Sequence, residues 1–193
     1  MSSFLDLPAR DLLDLLAAGK TTPGAGSAAA FTGALAGSLI QAAARYTVRG
    51  QGTFAERAGV ILEEAEKRSE SLRRAVDEDA AAFERFWKAH KRGERDEDAG
   101  RETIEIPLRI ARDCAALAEL ALELFEHGFR NARGESAAAA LQAVAAGEAA
   151  AFAARLNLKA AGRPEDDATG LLERLRGLRE RIAASGISWA GHG

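Results

Sequence analysis

An all-α domain is what this sequence predicts: a multi-helix bundle with long antiparallel helices around a buried helix of small residues. Two observations carry that expectation. Alanine makes up roughly a quarter of the chain while aromatics are only 6%, so strong helix formers far outnumber strand formers. Apolar residues recur at the helical spacing, and Gly, Pro and charged clusters cut the pattern into about six segments.

Taken in order, Leu7 to Ala18 reads as a short amphipathic helix, ended by Gly19 and by Thr21-Thr22-Pro23. Gly26 to Ala44 carries no charge, and Gly33 and Gly37 give it a GxxxG spacing. A membrane span is the obvious alternative. The stretch is dominated by Ala, Gly and Ser rather than Leu and Ile, and no second span is evident, so it reads as a helix buried on all sides. Phe54 to Lys91 is a long amphipathic helix whose core stripe runs through Phe54, Ala58, Ile61, Ala65, Leu72, Val76, Phe83 and Phe86. Arg92 to Arg101 is a charged connection. Glu102 to Phe125 is helical, and Pro107 is expected to kink or split it. Gly128 to Gly134 reads as a loop, Glu135 to Ala161 as an Ala-rich helix, Gly162-Arg163-Pro164 as a break, and Asp166 to Ser185 as the last helix.

Length and charge bound the function. The 193 residues, 47% of them hydrophobic, suit one domain over 1–193, with 186–193 as a loose tail. Twenty-six basic against 29 acidic side chains leave a net charge of −3, dispersed, which argues against a nucleic-acid or anionic-membrane partner. The single cysteine, Cys114, cannot form an internal disulfide or a thiolate zinc site, and the N-terminal residues lack an export signal, so the cytoplasm is the expected compartment. His90, His127 and His192 are far apart, and no metal-binding pair is present.

The informative residues are polar ones on faces that should be buried, because burial costs them water. Ser27, Ser38, Gln41 and Arg45 fall within about 60° of one another at 100° per residue. They read as a polar track along the buried helix, equally open to a ligand, a satisfied internal network or an intersubunit seam. Asp79 lies on the core stripe, three residues after Val76 and four before Phe83, while Asp77 and Glu78 point elsewhere. A carboxylate among apolar groups has a raised pKa and suits proton transfer near neutrality; pairing with an arginine such as Arg45 is the structural alternative. Glu135, Gln142 and Asn157 line one side of the fifth helix, where Glu135 also suits a first-turn role. Thr22-Pro23-Gly24-Ala25-Gly26-Ser27 leads into the buried helix. Its free amides can bind an oxygen, or it is a plain glycine turn with Ser27 as N-cap.

These stretches together resemble a known family. Thr22 to Ala30, then Gly33-Ala34-Leu35 and Ala44-Arg45-Tyr46-Thr47, is similar to the opening of the formiminotetrahydrofolate cyclodeaminase and methenyltetrahydrofolate cyclohydrolase family. Val76 to Phe83 resembles its acidic helix and Ile106-Pro107-Leu108 its proline-bearing segment. Gly128 to Asn131 resembles its Gly-Asn-x-Asn loop, and Arg155-Leu156-Asn157-Leu158 its closing Ile-Asn-Leu. The resemblance spans about residues 4 to 185. It implies an all-helical homodimer acting on a tetrahydrofolate derivative. Either N5-formiminotetrahydrofolate is closed to the 5,10-methenyl form with loss of ammonia, or the methenyl form is hydrolysed to 10-formyltetrahydrofolate. No metal, and no cofactor beyond the folate substrate, is implied. On the resemblance Asp79 moves the proton. Pro23, Gly24, Gly26, Ser27, Gln41, Arg45, Asn131, Glu135 and Asn157 bind substrate. Five positions depart from the family pattern: Ala25 in its glycine turn, Phe129 for the Asn that follows the glycine of its loop, Gly134 and Glu135 for a Ser-Asp pair, and Ala153 for an Asn. The rival reading is therefore a divergent, non-catalytic homologue, a dimeric small-molecule-binding or interaction module.

Overall fold

The computed structural model describes residues 3–187, so most of the expected loose tail, 188–193, lies outside the described residues. Six α-helices and no strand are present among them: α1 (Ala9–Ala17), α2 (Ala25–Arg49), α3 (Ala55–Lys91), α4 (Glu97–His127), α5 (Arg133–Ala160) and α6 (Asp166–Ala184). The all-helical expectation holds. Single-turn helices at Phe4–Asp6 and Arg130–Ala132 complete the chain.

Helices α2 to α5 run alternately up and down, and the pairings between them fix that order. Ser27 meets Asp79 and Gln41 meets Ser69 across α2 and α3. Arg57 meets Glu123 and Arg68 meets Asp113 across α3 and α4. The Asn157 side chain reaches Thr103 across α5 and α4, and the Phe129 amide donates to the Thr47 hydroxyl where α2 ends beside the start of α5. Helix α6 lies over α4 and α5, closing the core with Leu175, Leu178 and Ile182.

Close packing rests on the small residues. A methyl group on Gly33 would lie 2.6 Å from Cys114 Sγ and 3.1 Å from Leu72 Cδ1, so the bare backbone of α2 is what lets α3 and α4 approach. Helix α2 is not buried on all sides, however. Leu35 (47% exposed) and Tyr46 (45% exposed) face outward, and the polar track is buried only at Ser27 and Gln41. Ser38 is exposed and bonds back to Ala34 O, and Arg45 pairs with Glu66 on the surface. The stretch Arg130–Ala160, the single turn together with α5, also has the length and apolarity to cross a bilayer; 61% of the most apolar window of α2 and 50% of that of this stretch are buried inside the bundle.

Several boundaries differ from expectation for local reasons. Asp96 caps α4 by accepting from the Ala99 amide at 2.8 Å, and Glu97 and Asp98 favour the first turn, so α4 begins within the stretch expected to be a connection. Pro107 does not divide α4, which runs through it. The expected 128–134 loop shrinks, because Arg130–Ala132 form a turn of 3-10 helix and α5 begins at Arg133. Gly24, not Ser27, is the N-cap of α2.

Candidate functional site

Four segments far apart in sequence close around a cleft of about 240 Å³ at one end of the bundle. Thr21, Thr22 and Gly24 form its rim, and Ala25 and Gly26 contribute the first turn of α2. Asp79 and Phe83 come from α3, Pro107 from α4, and Ala153, Leu156 and Asn157 from α5. The antiparallel order explains the meeting, since it brings the start of α2, the second half of α3 and the end of α5 to the same end.

Asp79 is the chemically distinctive group. Among the described residues it makes no ion pair. Its Oδ2 accepts the Ser27 hydroxyl at 3.0 Å. Burial pushes its carboxyl above the usual range, opposed in part by the hydroxyl and backbone amide of Ser27. Gly26 makes room for it: a methyl group there would fall on the Asp79 carboxylate. Because Gly24 has no side chain to cap α2, the first turn of that helix offers its amides to the Asp79 side of the cleft. The two neighbouring acids are engaged elsewhere. Asp77 accepts from the Ser3 hydroxyl and the Phe4 amide, and Glu78 pairs with Arg109.

The structure thus brings together Asp79, Gly24, Gly26, Ser27 and Asn157. Pro23 is buried beneath the turn and does not line the cleft. Gln41 is buried with its Nε2 donating to Ser69, and Arg45, 18 residues from Ser27, sits roughly 27 Å farther along α2 at 1.5 Å per residue. Asn131, exposed, and Glu135 lie at the opposite end, where α5 begins. Thr21, Thr22, Phe83, Pro107, Ala153 and Leu156 line the cleft although sequence reasoning did not name them as site residues. Phe83, four residues after Asp79, and Ala153, four before Asn157, could have been found from that spacing alone.

A second hollow of about 620 Å³ adjoins the first, with Asn157 in the wall of both. It is edged by Arg95, Arg101 and Arg163, with Glu97 the one acid in its wall. Arg101 pairs with Asp98; no carboxylate lies within ion-pair distance of Arg95 or Arg163 among the described residues.

A helical bundle whose end holds a cleft with a water-deprived acid, amide donors and a flanking cationic hollow defines a protein built to hold a small polar molecule. Residues 8–169 match the family described as formiminotransferase-cyclodeaminase, and the chain belongs to that family. It is 29% identical over 189 residues to a methenyltetrahydrofolate cyclohydrolase of Methylorubrum extorquens, covering 90% of this chain and 88% of that protein. Its fold is similar to the crystal structure of formiminotetrahydrofolate cyclodeaminase from Thermotoga maritima, with a TM-score of 0.77 and 26% identity, over 93% of this chain and 91% of the other.

Proposed function

We propose that the chain is a folate-dependent one-carbon enzyme, acting on the carbon held by N5 and N10 of tetrahydrofolate, with Asp79 as its proton carrier. The observation that carries this reading is the place of Asp79: a desolvated carboxyl without a cation, in the wall of a cleft, in a chain of this family. In hydrolysis, water adds to the methenyl carbon and gives its proton to Asp79. The tetrahedral carbon then releases N5, which takes that proton, and the remaining hydroxyl proton leaves to solvent as the formyl group forms. In cyclodeamination, N10 attacks the carbon of the protonated formimino group, and Asp79 carries the N10 proton to its NH2 nitrogen, which departs as ammonia and leaves the methenyl cation. Either course needs a group that can take up and return a proton, and burial shifts the Asp79 carboxyl towards holding one. Proton traffic suffices for both, so no metal or further cofactor enters the proposal.

The cleft suits a pterin-sized ring system, and the adjoining hollow with Arg95 and Arg163 suits the carboxylates of the glutamate end. We extend the reading to a homodimer formed through the outer faces of α2 and α5, where Leu35, Leu141, Phe152 and Leu156 are about half exposed. The cytoplasm, where Cys114 stays reduced, is the compartment we assign.

Supplying the purified chain separately with 5,10-methenyltetrahydrofolate and with N5-formiminotetrahydrofolate tests the proposal. Loss of the methenyl absorbance band in the first case marks a cyclohydrolase, and its appearance in the second marks a cyclodeaminase. Binding of 5-formyltetrahydrofolate without either change would replace the enzyme with a binding module.

A further inference from the structure

Pro107 stands inside α4 and in the wall of the cleft, and its effect on α4 reaches a second cleft residue. In an α-helix the amide of residue i pairs with the carbonyl of residue i−4, and proline has no amide. The carbonyl that Pro107 leaves without a helical partner is that of Thr103, a residue only 7% exposed. An unpaired carbonyl there would be costly. Asn157 of α5 supplies the missing donor, its Nδ2 lying 2.7 Å from Thr103 O. The Thr103 hydroxyl does not compete, since it donates to Gly100 O at 2.8 Å.

This pairing fixes the orientation of the Asn157 carboxamide. The opposite flip would set two acceptor oxygens at 2.7 Å, so Nδ2 must face Thr103. The polar atom left for the cleft is Oδ1, which accepts no hydrogen bond from the described residues. Without the proline, a ladder amide at 107 would satisfy the Thr103 carbonyl, Nδ2 would no longer be its needed donor, and the Asn157 carboxamide would be free to turn away from it.

We infer that Pro107 is a positioning residue for ligand recognition. By withholding an amide it commits Asn157 Nδ2 to Thr103 and presents Oδ1 as a fixed acceptor, so the cleft selects a heterocycle with an N–H edge at that point. That the heterocycle is a pterin rests on the function proposed above; the link from Pro107 to Asn157 does not.

The test pairs Pro107→Ala, which restores the amide with a strong helix former, with Asn157→Ala and the double variant. The Asn157 side-chain amide signals in a 15N–1H spectrum are identified by their loss in Asn157→Ala. Slow solvent exchange of those signals in the parent chain and fast exchange in Pro107→Ala is the expected result; unchanged protection overturns the inference. Calorimetric titration with 5-formyltetrahydrofolate should show about tenfold weaker binding by Pro107→Ala, and less than a twofold further loss when the same change is made in Asn157→Ala. An equal loss in both backgrounds would mean that the ring acts by its own packing, and would also overturn it. If the parent chain binds no 5-formyltetrahydrofolate, the folate reading fails, and the amide exchange alone decides the Pro107 link.

Discussion

Burial of Asp79 carries an energetic cost that varies with pH, because the fold favours its protonated form over the carboxylate. Below the ordinary value of 3.8 the group is neutral folded or unfolded, and no penalty exists. As pH rises past that value the unfolded chain ionises first, and stability is lost until the folded carboxyl has ionised as well. Asp79→Asn keeps an acceptor for Ser27 and never ionises. It should therefore melt above the parent chain at pH 7, with the gap closing as pH falls towards 4. Scanning calorimetry across that range checks this; a gap that does not depend on pH would mean that ionised Asp79 pays no burial cost. The position of Asp79 is partly legible in the sequence. Its spacing from Val76 and Phe83 places it on the inner stripe of α3, whereas its release from any arginine depends on where Arg45 ends up, which spacing does not reveal.

At the scale of elements, the bundle depends on α2 lying close against α3 and α4. Gly33→Ala should destabilise the chain by about 1–3 kcal/mol, since its methyl meets Cys114 Sγ at 2.6 Å. Removing the sulfur with Cys114→Ala should recover most of that loss. Urea unfolding of the two single variants and the double variant measures it, and strict additivity would contradict the contact. Glycines, prolines and charged clusters made nearly every helix legible, because they interrupt a strong periodic pattern. Two things escaped that reading. The capping of α4 by Asp96 adds a turn whose residues are polar and look like linker. Periodicity groups Ser27, Ser38, Gln41 and Arg45 on one side of α2, but a residue at the end of a long helix can share that side and still reach solvent, as Arg45 does.

On the scale of the whole molecule, the cleft exists because three antiparallel reversals return distant segments to one end. No local pattern records that return, which is why Pro107 was not legible as a cleft residue while Asp79, Gly26 and Asn157 were; Phe83 and Ala153 were within reach only through their four-residue spacing from Asp79 and Asn157. The same architecture leaves the neighbouring outer faces of α2 and α5 apolar, with Leu35 at 47% and Leu141 at 49% exposed. No charged residue occurs on α2 between Gly26 and Ala44, or on α5 between Ser136 and Gly147. Sedimentation should find a dimer that Leu141→Glu converts to monomer, because a buried unpaired carboxylate costs more than the contact returns. A parent chain that sediments as a monomer would contradict the assigned interface.

The most direct measurement is turnover of the responsive one-carbon substrate by Asp79→Asn, with circular dichroism and melting establishing that the variant is folded. Loss of the proton carrier should lower kcat by about a hundredfold or more while 5-formyltetrahydrofolate still binds. A folded Asp79→Asn protein that turns over at the parental rate would remove Asp79 from the chemistry, and with it the function assigned to this cleft.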